Sequence, residues 1–102
     1  MLTITAVIRA KKGHEATMRQ ALLDVVDHVR ANEPSTIGYY VSQDASDPCV
    51  FATYERYLDQ AAMDGHNNSP AVAQFFDIAK LILDGDVIIV SANEIASKGD
   101  AK

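Results

Sequence analysis

Residues Cys49 to Tyr57 alternate without interruption, with Phe51, Thr53, Glu55 and Tyr57 on one parity and Val50, Ala52, Tyr54 and Arg56 on the other. Period-two alternation is the mark of a β-strand. Both parities carry apolar or aromatic side chains. A strand of this kind belongs inside a sheet that is covered on both faces, since a broad bare apolar face is unusual on a monomer. The remaining chain must supply that cover.

Three further segments share the period. Residues 2–9 set Leu2, Ile4, Ala6 and Ile8 against Thr3, Thr5, Val7 and Arg9. Residues 37–44 form another, and residues 86–95 the last, with Val87 to Val90 apolar on both parities. Between the first two lies a helix from about His14 to Asn32. Its apolar stripe is Met18, Leu22, Val25 and Val29, widened by Ala21 and Val26, and Gln20, Asp24, Asp27 and Arg30 face away. Glu33-Pro34 ends it, because the residue before proline is pushed out of the α region. Ala45 to Pro48 is a turn between antiparallel neighbours. Asp59 caps a helix of two turns that loosens at Asn67-Asn68. Ser69-Pro70 then restarts it, and the new helix runs to Leu83 before Asp84-Gly85.

The order is β-α-β-β-α-β, with the second helix broken in two. It predicts an α+β ferredoxin-like domain over residues 1–95, an antiparallel four-stranded sheet with its helices on one face. The small polar tail, 96–102, is expected to fray. The uncovered sheet face predicts a homodimer, two sheets packed face to face.

Composition narrows the partners. A chain of 102 residues makes one domain, and a net charge of −5 leaves no basic stripe for nucleic acid or anionic lipid. No apolar run reaches the roughly 20 residues of a membrane span. The N-terminus lacks a basic region and a cleavage site, so no signal peptide is expected. The single cysteine, Cys49, permits no internal disulfide and fits a cytoplasmic location. No metal-ligand spacing, glycine-rich phosphate loop or nucleophile elbow occurs, so neither a metal nor a cofactor is expected.

Chemistry concentrates between Glu55 and His66. His66 follows Ala62 and Met63 by four and three residues, which places it on the inward face of the short helix. An imidazole there can exchange a proton at neutral pH, or it can simply stabilise the carbonyls at its own helix end. Glu55, on an apolar strand face, needs a partner, whether a histidine, Arg9, Arg56 or a backbone donor. Tyr39, Tyr40, Tyr54 and Tyr57 suit either a pocket wall or an ordinary core. His14 and His28 are expected to be solvated.

The spacing of Glu55, Tyr57, Asp59, Ala62 and His66 resembles that of the antibiotic biosynthesis monooxygenase family of dimeric α/β barrels. Glu33-Pro34 with Gly38-Tyr39, Ser69-Pro70 and Phe76 also fall where that family places such residues. The opening Met1 to Ile4 with Ile8-Arg9 and Gly13 is similar to its bacterial quinol monooxygenase branch. Two positions depart from the pattern, Tyr57 standing for Trp and Ser35 for Gly.

The resemblance implies a cofactor-independent monooxygenase that oxidises a small phenol or hydroquinone to a quinone with dioxygen. In that reading His66 is the general base, Glu55 its orienting or electrostatic partner and Tyr57 a stacking wall. Tyr54, Tyr39, Phe76 and Met63 complete the substrate site. The haem-degrading branch fits poorly, since strand one has no Asn and the chain no Trp. A non-catalytic dimer that binds a small molecule, or an isomerase or lactone-processing enzyme, are the other readings this superfamily offers.

Overall fold

The computed structural model of the chain describes residues 1–99, so the last three residues of the expected tail lie outside the described residues. Seven elements follow in order: β1 (Leu2–Arg9), α1 (Glu15–Asn32), β2 (Thr36–Gln43), β3 (Val50–Tyr57), α2 (Gln60–Asn67), α3 (Pro70–Ala79) and β4 (Ile88–Asn93). The strands form one antiparallel sheet in the order β2-β3-β1-β4, the ferredoxin-like arrangement. Residues 96–99 adopt no helix or strand.

Each boundary has a local cause. Asp59 is extended, and its carboxylate accepts from the Ala62 amide at 2.9 Å, which starts α2. Ser69 does the same for Val72 at 3.3 Å, with Pro70 preset for the first helical position. The third helix stops at Ala79, four residues short of its apolar pattern. Leu83 pairs with Ala10, and Lys11 and Asp84 exchange backbone bonds with Ile82 and Arg9, so the end of β1 captures this segment. Gly85 then takes φ of +87°, a turn that side chains with a Cβ resist, and the chain enters β4.

The helices cover one face. Ala6, Ile8 and Phe51 from the sheet meet Met18, Leu22, Val25 and Val29 from α1 and Phe75 and Ala79 from α3 in the main core. The other face stays open. Val7, Tyr40, Tyr54, Ile88 and Val90 are all exposed there, Tyr40 and Tyr54 stacked 6.3 Å apart. Arg56 crosses that face to Glu94 through two bonds of 2.8 and 3.0 Å.

Strand β2 carries an irregularity that matters for the site. Thr36 faces Tyr57, yet Gly38 faces Arg56, so Ile37 is an extra residue in the ladder. The bulge reverses the parity of every residue of β2 beyond it. Tyr39 is thereby set opposite Glu55, on the helix-covered face. Gly38 leaves room for the Tyr40 ring, which a Cβ would meet at 2.9 Å. Among the described residues, no helix is long and apolar enough to cross a membrane.

Leu22 is almost fully enclosed in the main core. Leu22→Ala should cost about 2–5 kcal/mol of unfolding free energy, measured as a lowered denaturant midpoint.

Candidate active site

Thr53, Glu55 and Tyr57 stand two residues apart on β3 and share its helix-covered face. The spacing makes them neighbours in line, and the carboxylate takes one bond from each flank. Thr53 Oγ1 donates to Oε2 at 2.7 Å and Tyr57 Oη to Oε1 at 2.5 Å. Glu55 is only 6% exposed, and these donors offset the cost of burying it.

The imidazole of His66 arrives from the last turn of α2, 4% exposed. Its Nε2 lies 3.9 Å from Glu55 Oε1, and its Nδ1 lies 2.8 Å from Glu33 Oε1. Tyr39 and Tyr57 bracket the ring, with centroids 5.2 and 5.5 Å away. Glu55 and His66 thus converge on one interior. Arg9 and Arg56, the other partners open to Glu55 by sequence, are held instead by Asp47 and Glu94.

A cavity of about 300 Å³ opens beside this cluster, large enough for a small aromatic molecule. It exists because the sheet presents small side chains there. Ala6 pairs with Thr53, and Ile4 with Ser91, where a filled core would carry larger groups. Tyr39, Glu55 and His66 form its polar end. Phe76 and Ile89, both about half exposed, line it from α3 and β4.

The expected site residues divide. His66, Glu55, Tyr39 and Phe76 border the cavity. Tyr54 does not, because its parity sends it to the open face, where its hydroxyl meets Glu94 at 3.3 Å. Met63 packs with Ile4 and Tyr57 in a separate small core. Tyr57 is fully buried behind Glu55 and is a hydrogen-bond donor to it rather than a stacking wall. His28 is not solvated as expected. It is half-buried, and its Nε2 lies 3.1 Å from Glu33 Oε2. Glu33, read from sequence only as a helix end and a link into strand two, belongs to the cluster. No local pattern announces it, since 33 residues separate it from His66.

The two phenols beside the carboxylates stay protonated. Burial raises the Tyr39 hydroxyl far above its ordinary value, and the charges of Glu55 and Glu33 add to this. Burial also raises Tyr57, followed by its hydrogen bond to Glu55. Both are therefore neutral donors at any ordinary pH. No group of three or more His, Cys, Asp and Glu side chains able to hold a metal ion occurs among the described residues.

The fold and cluster define a class, an α+β ferredoxin-like protein with an apolar cavity closed at one end by a histidine between two carboxylates. Sequence comparison names the family within it. The profile of the antibiotic biosynthesis monooxygenase family matches residues 1–77, and the chain belongs to that family. No curated protein matches it. Among solved structures, a protein of Pseudomonas aeruginosa is 28% identical with a TM-score of 0.84, and the match covers 93% of this chain and 94% of that one. A Deinococcus radiodurans protein is 26% identical with a TM-score of 0.85, both chains covered completely. A Mycobacterium tuberculosis protein shares the fold at 18% identity, with a TM-score of 0.87 over 96% of this chain and 98% of that one.

The raised tyrosines carry a pH signature. An unfolded tyrosine ionises near pH 10, while Tyr39 and Tyr57 in the folded chain do not. Their contribution is whole below pH 10 and is lost as pH rises beyond it, because unfolding then releases their protons. Tyr57→Phe should reduce the alkaline slope of unfolding free energy against pH by one proton's worth. Denaturant titrations at several pH values above 10 measure that slope.

Proposed function

We propose that the protein is a cofactor-independent monooxygenase that oxidises a small phenol or hydroquinone to a quinone with dioxygen. The observation that carries this reading is the position of His66, buried between two carboxylates with one ring edge turned to the cavity.

Dioxygen is a triplet and reacts slowly with a neutral closed-shell phenol, whereas a phenolate is a much better one-electron donor. Proton removal is the step a protein can promote. A phenol of ordinary acidity titrates near 10, so ionising it at pH 7 costs about 4 kcal/mol. A substrate hydroxyl at the polar end of the cavity delivers its proton to His66. The imidazolium that results lies between Glu33 and Glu55, whose charges favour it. Tyr39, neutral and at the same end, supplies a donor for the developing phenolate oxygen. Tyr57 and Thr53 keep Glu55 aimed at the cavity rather than taking part themselves.

One electron then passes from phenolate to dioxygen. The phenoxyl radical and superoxide combine at a ring carbon and take up a proton, which gives a hydroperoxide. Loss of the carbon-bound proton with cleavage of the O–O bond yields the quinone and one water. Each turnover consumes one dioxygen, and the substrate supplies all the remaining electrons.

The same reading includes a homodimer. The exposed Val7, Tyr40, Tyr54, Ile88 and Val90 form one apolar sheet face with no helix over it, and a second copy of that face would cover it. Sedimentation at micromolar concentration should give a dimer, and Val90→Asp should split it. A wild-type monomer would count against this part of the reading.

An oxygen electrode with a panel of hydroquinones tests the chemistry. Wild type should consume oxygen, and His66→Ala should lose about 10²–10⁴-fold in rate while sedimenting as wild type does. Equal uptake by the two proteins would remove His66 from the role of base.

A further inference from the structure

We propose that Glu33 is the positioning residue for His66, setting which ring nitrogen faces the cavity as a base, and that His28 and Thr36 hold Glu33 in place. The inference deepens the reading of His66 as the proton acceptor and rests on it for its kinetic consequence alone.

His66 borders two spaces. One is the inner cavity, which it shares with Glu55 and Tyr39. The other is a more open groove on the far side of α2, which it shares with Glu33 and His28. Neither Glu33 nor His28 borders the cavity, and neither Glu55 nor Tyr39 borders the groove. The imidazole is a partition, with one carboxylate on each side.

The two carboxylates are not equivalent. Glu55 Oε1 is 3.9 Å from Nε2, beyond hydrogen-bond reach, and both its oxygens already accept from Thr53 and Tyr57. Glu33 Oε1 is 2.8 Å from Nδ1. An ionised carboxylate only accepts, so the nitrogen facing it must carry the hydrogen. A neutral imidazole has one such hydrogen. Placing it on Nδ1 leaves the lone pair on Nε2, which points to the cavity and not to the groove. With the opposite tautomer, a lone pair on Nδ1 would oppose the charge of Glu33 across 2.8 Å.

Glu33 is itself anchored. Thr36 Oγ1 donates to the same Oε1 at 2.8 Å, and His28 Nε2 stands 3.1 Å from Oε2. That Oε2 is buried with no aligned hydrogen bond, so His28 is its nearest polar contact. His28 is tied in turn to Asn32, one helical turn on, at 3.3 Å. The titratable groups facing His66 are thus Glu33 at the end of α1, Tyr39 from β2, and Glu55 and Tyr57 from β3.

Long-range proton–nitrogen correlation on the ¹⁵N-labelled protein reads the tautomer directly and needs no substrate. At a pH where the ring is neutral, wild-type His66 should carry its hydrogen on Nδ1. Glu33→Gln, nearly the same shape, offers Nδ1 either an acceptor or a donor, and should give a mixed or reversed tautomer. Glu55→Gln should leave the tautomer on Nδ1. If Glu33→Gln does not fold, Thr36→Val, which removes one anchor, should broaden the His66 ring signals in the same experiment. An unchanged Nδ1–H signature in the foldable one of these variants, or a tautomer that follows Glu55→Gln instead, overturns the proposal.

Kinetics provide the second arm. On any hydroquinone that wild type oxidises, Glu33→Gln should lower kcat at least tenfold with KM unchanged, and an unaffected kcat would also overturn the proposal. If wild type oxidises none, the oxygenase reading fails, while the tautomer measurement still decides the role of Glu33.

Discussion

Burial of ionisable groups governs this structure. Two carboxylates and an imidazole sit within a few ångströms of one another, Glu55 and His66 almost wholly out of solvent. Each would be costly alone, since an unpaired buried charge loses its hydration without return. Here the costs are met by neighbours. Thr53 and Tyr57 serve Glu55, Thr36 and His66 bond one oxygen of Glu33, and His66 stands between the two acids. The groups form a connected network, and removing one member leaves another unpaired.

Geometry around that network is set by two departures from regular packing. The extra residue at Ile37 shifts the register of β2, so that Thr36 and Tyr39, three apart, both serve the helix-covered face. Thr36 reaches Glu33 and Tyr39 walls the cavity. The small side chains of Ala6, Thr53 and Ser91 then leave the middle of the sheet unfilled. Larger residues at those positions would extend the core across the space. A cavity at this place costs packing contacts, which fits a site meant to be occupied.

Much of the fold was legible in the chain. Period-two and helical patterns gave the elements and their order, and the caps at Asp59 and Ser69 stand where their chemistry requires. Parity on β3 placed Thr53, Glu55 and Tyr57 together, because alternation is local and needs no distant partner. The end of α3 was not legible. Its apolar pattern runs past Ala79, but Leu83 is claimed by Ala10 at the end of β1, a contact no local rule registers. The open face of the sheet was legible as a surplus of apolar residues, and Tyr54 was misplaced because its aromatic character suits a pocket and an interface equally.

The sequence by itself determined the element order, the family, and the presence of a carboxylate and a histidine on adjoining elements. Those features rest on spacing within short stretches. Tertiary structure alone decided which nitrogen of His66 meets which acid. It brought Glu33, from the end of the first helix, against a ring on the second, with His28 behind it. It also aimed Tyr39 inward through a bulge beside Gly38. The physical reason is range: side-chain periodicity reports a residue's own element, whereas a buried charge is satisfied by whatever the fold sets beside it.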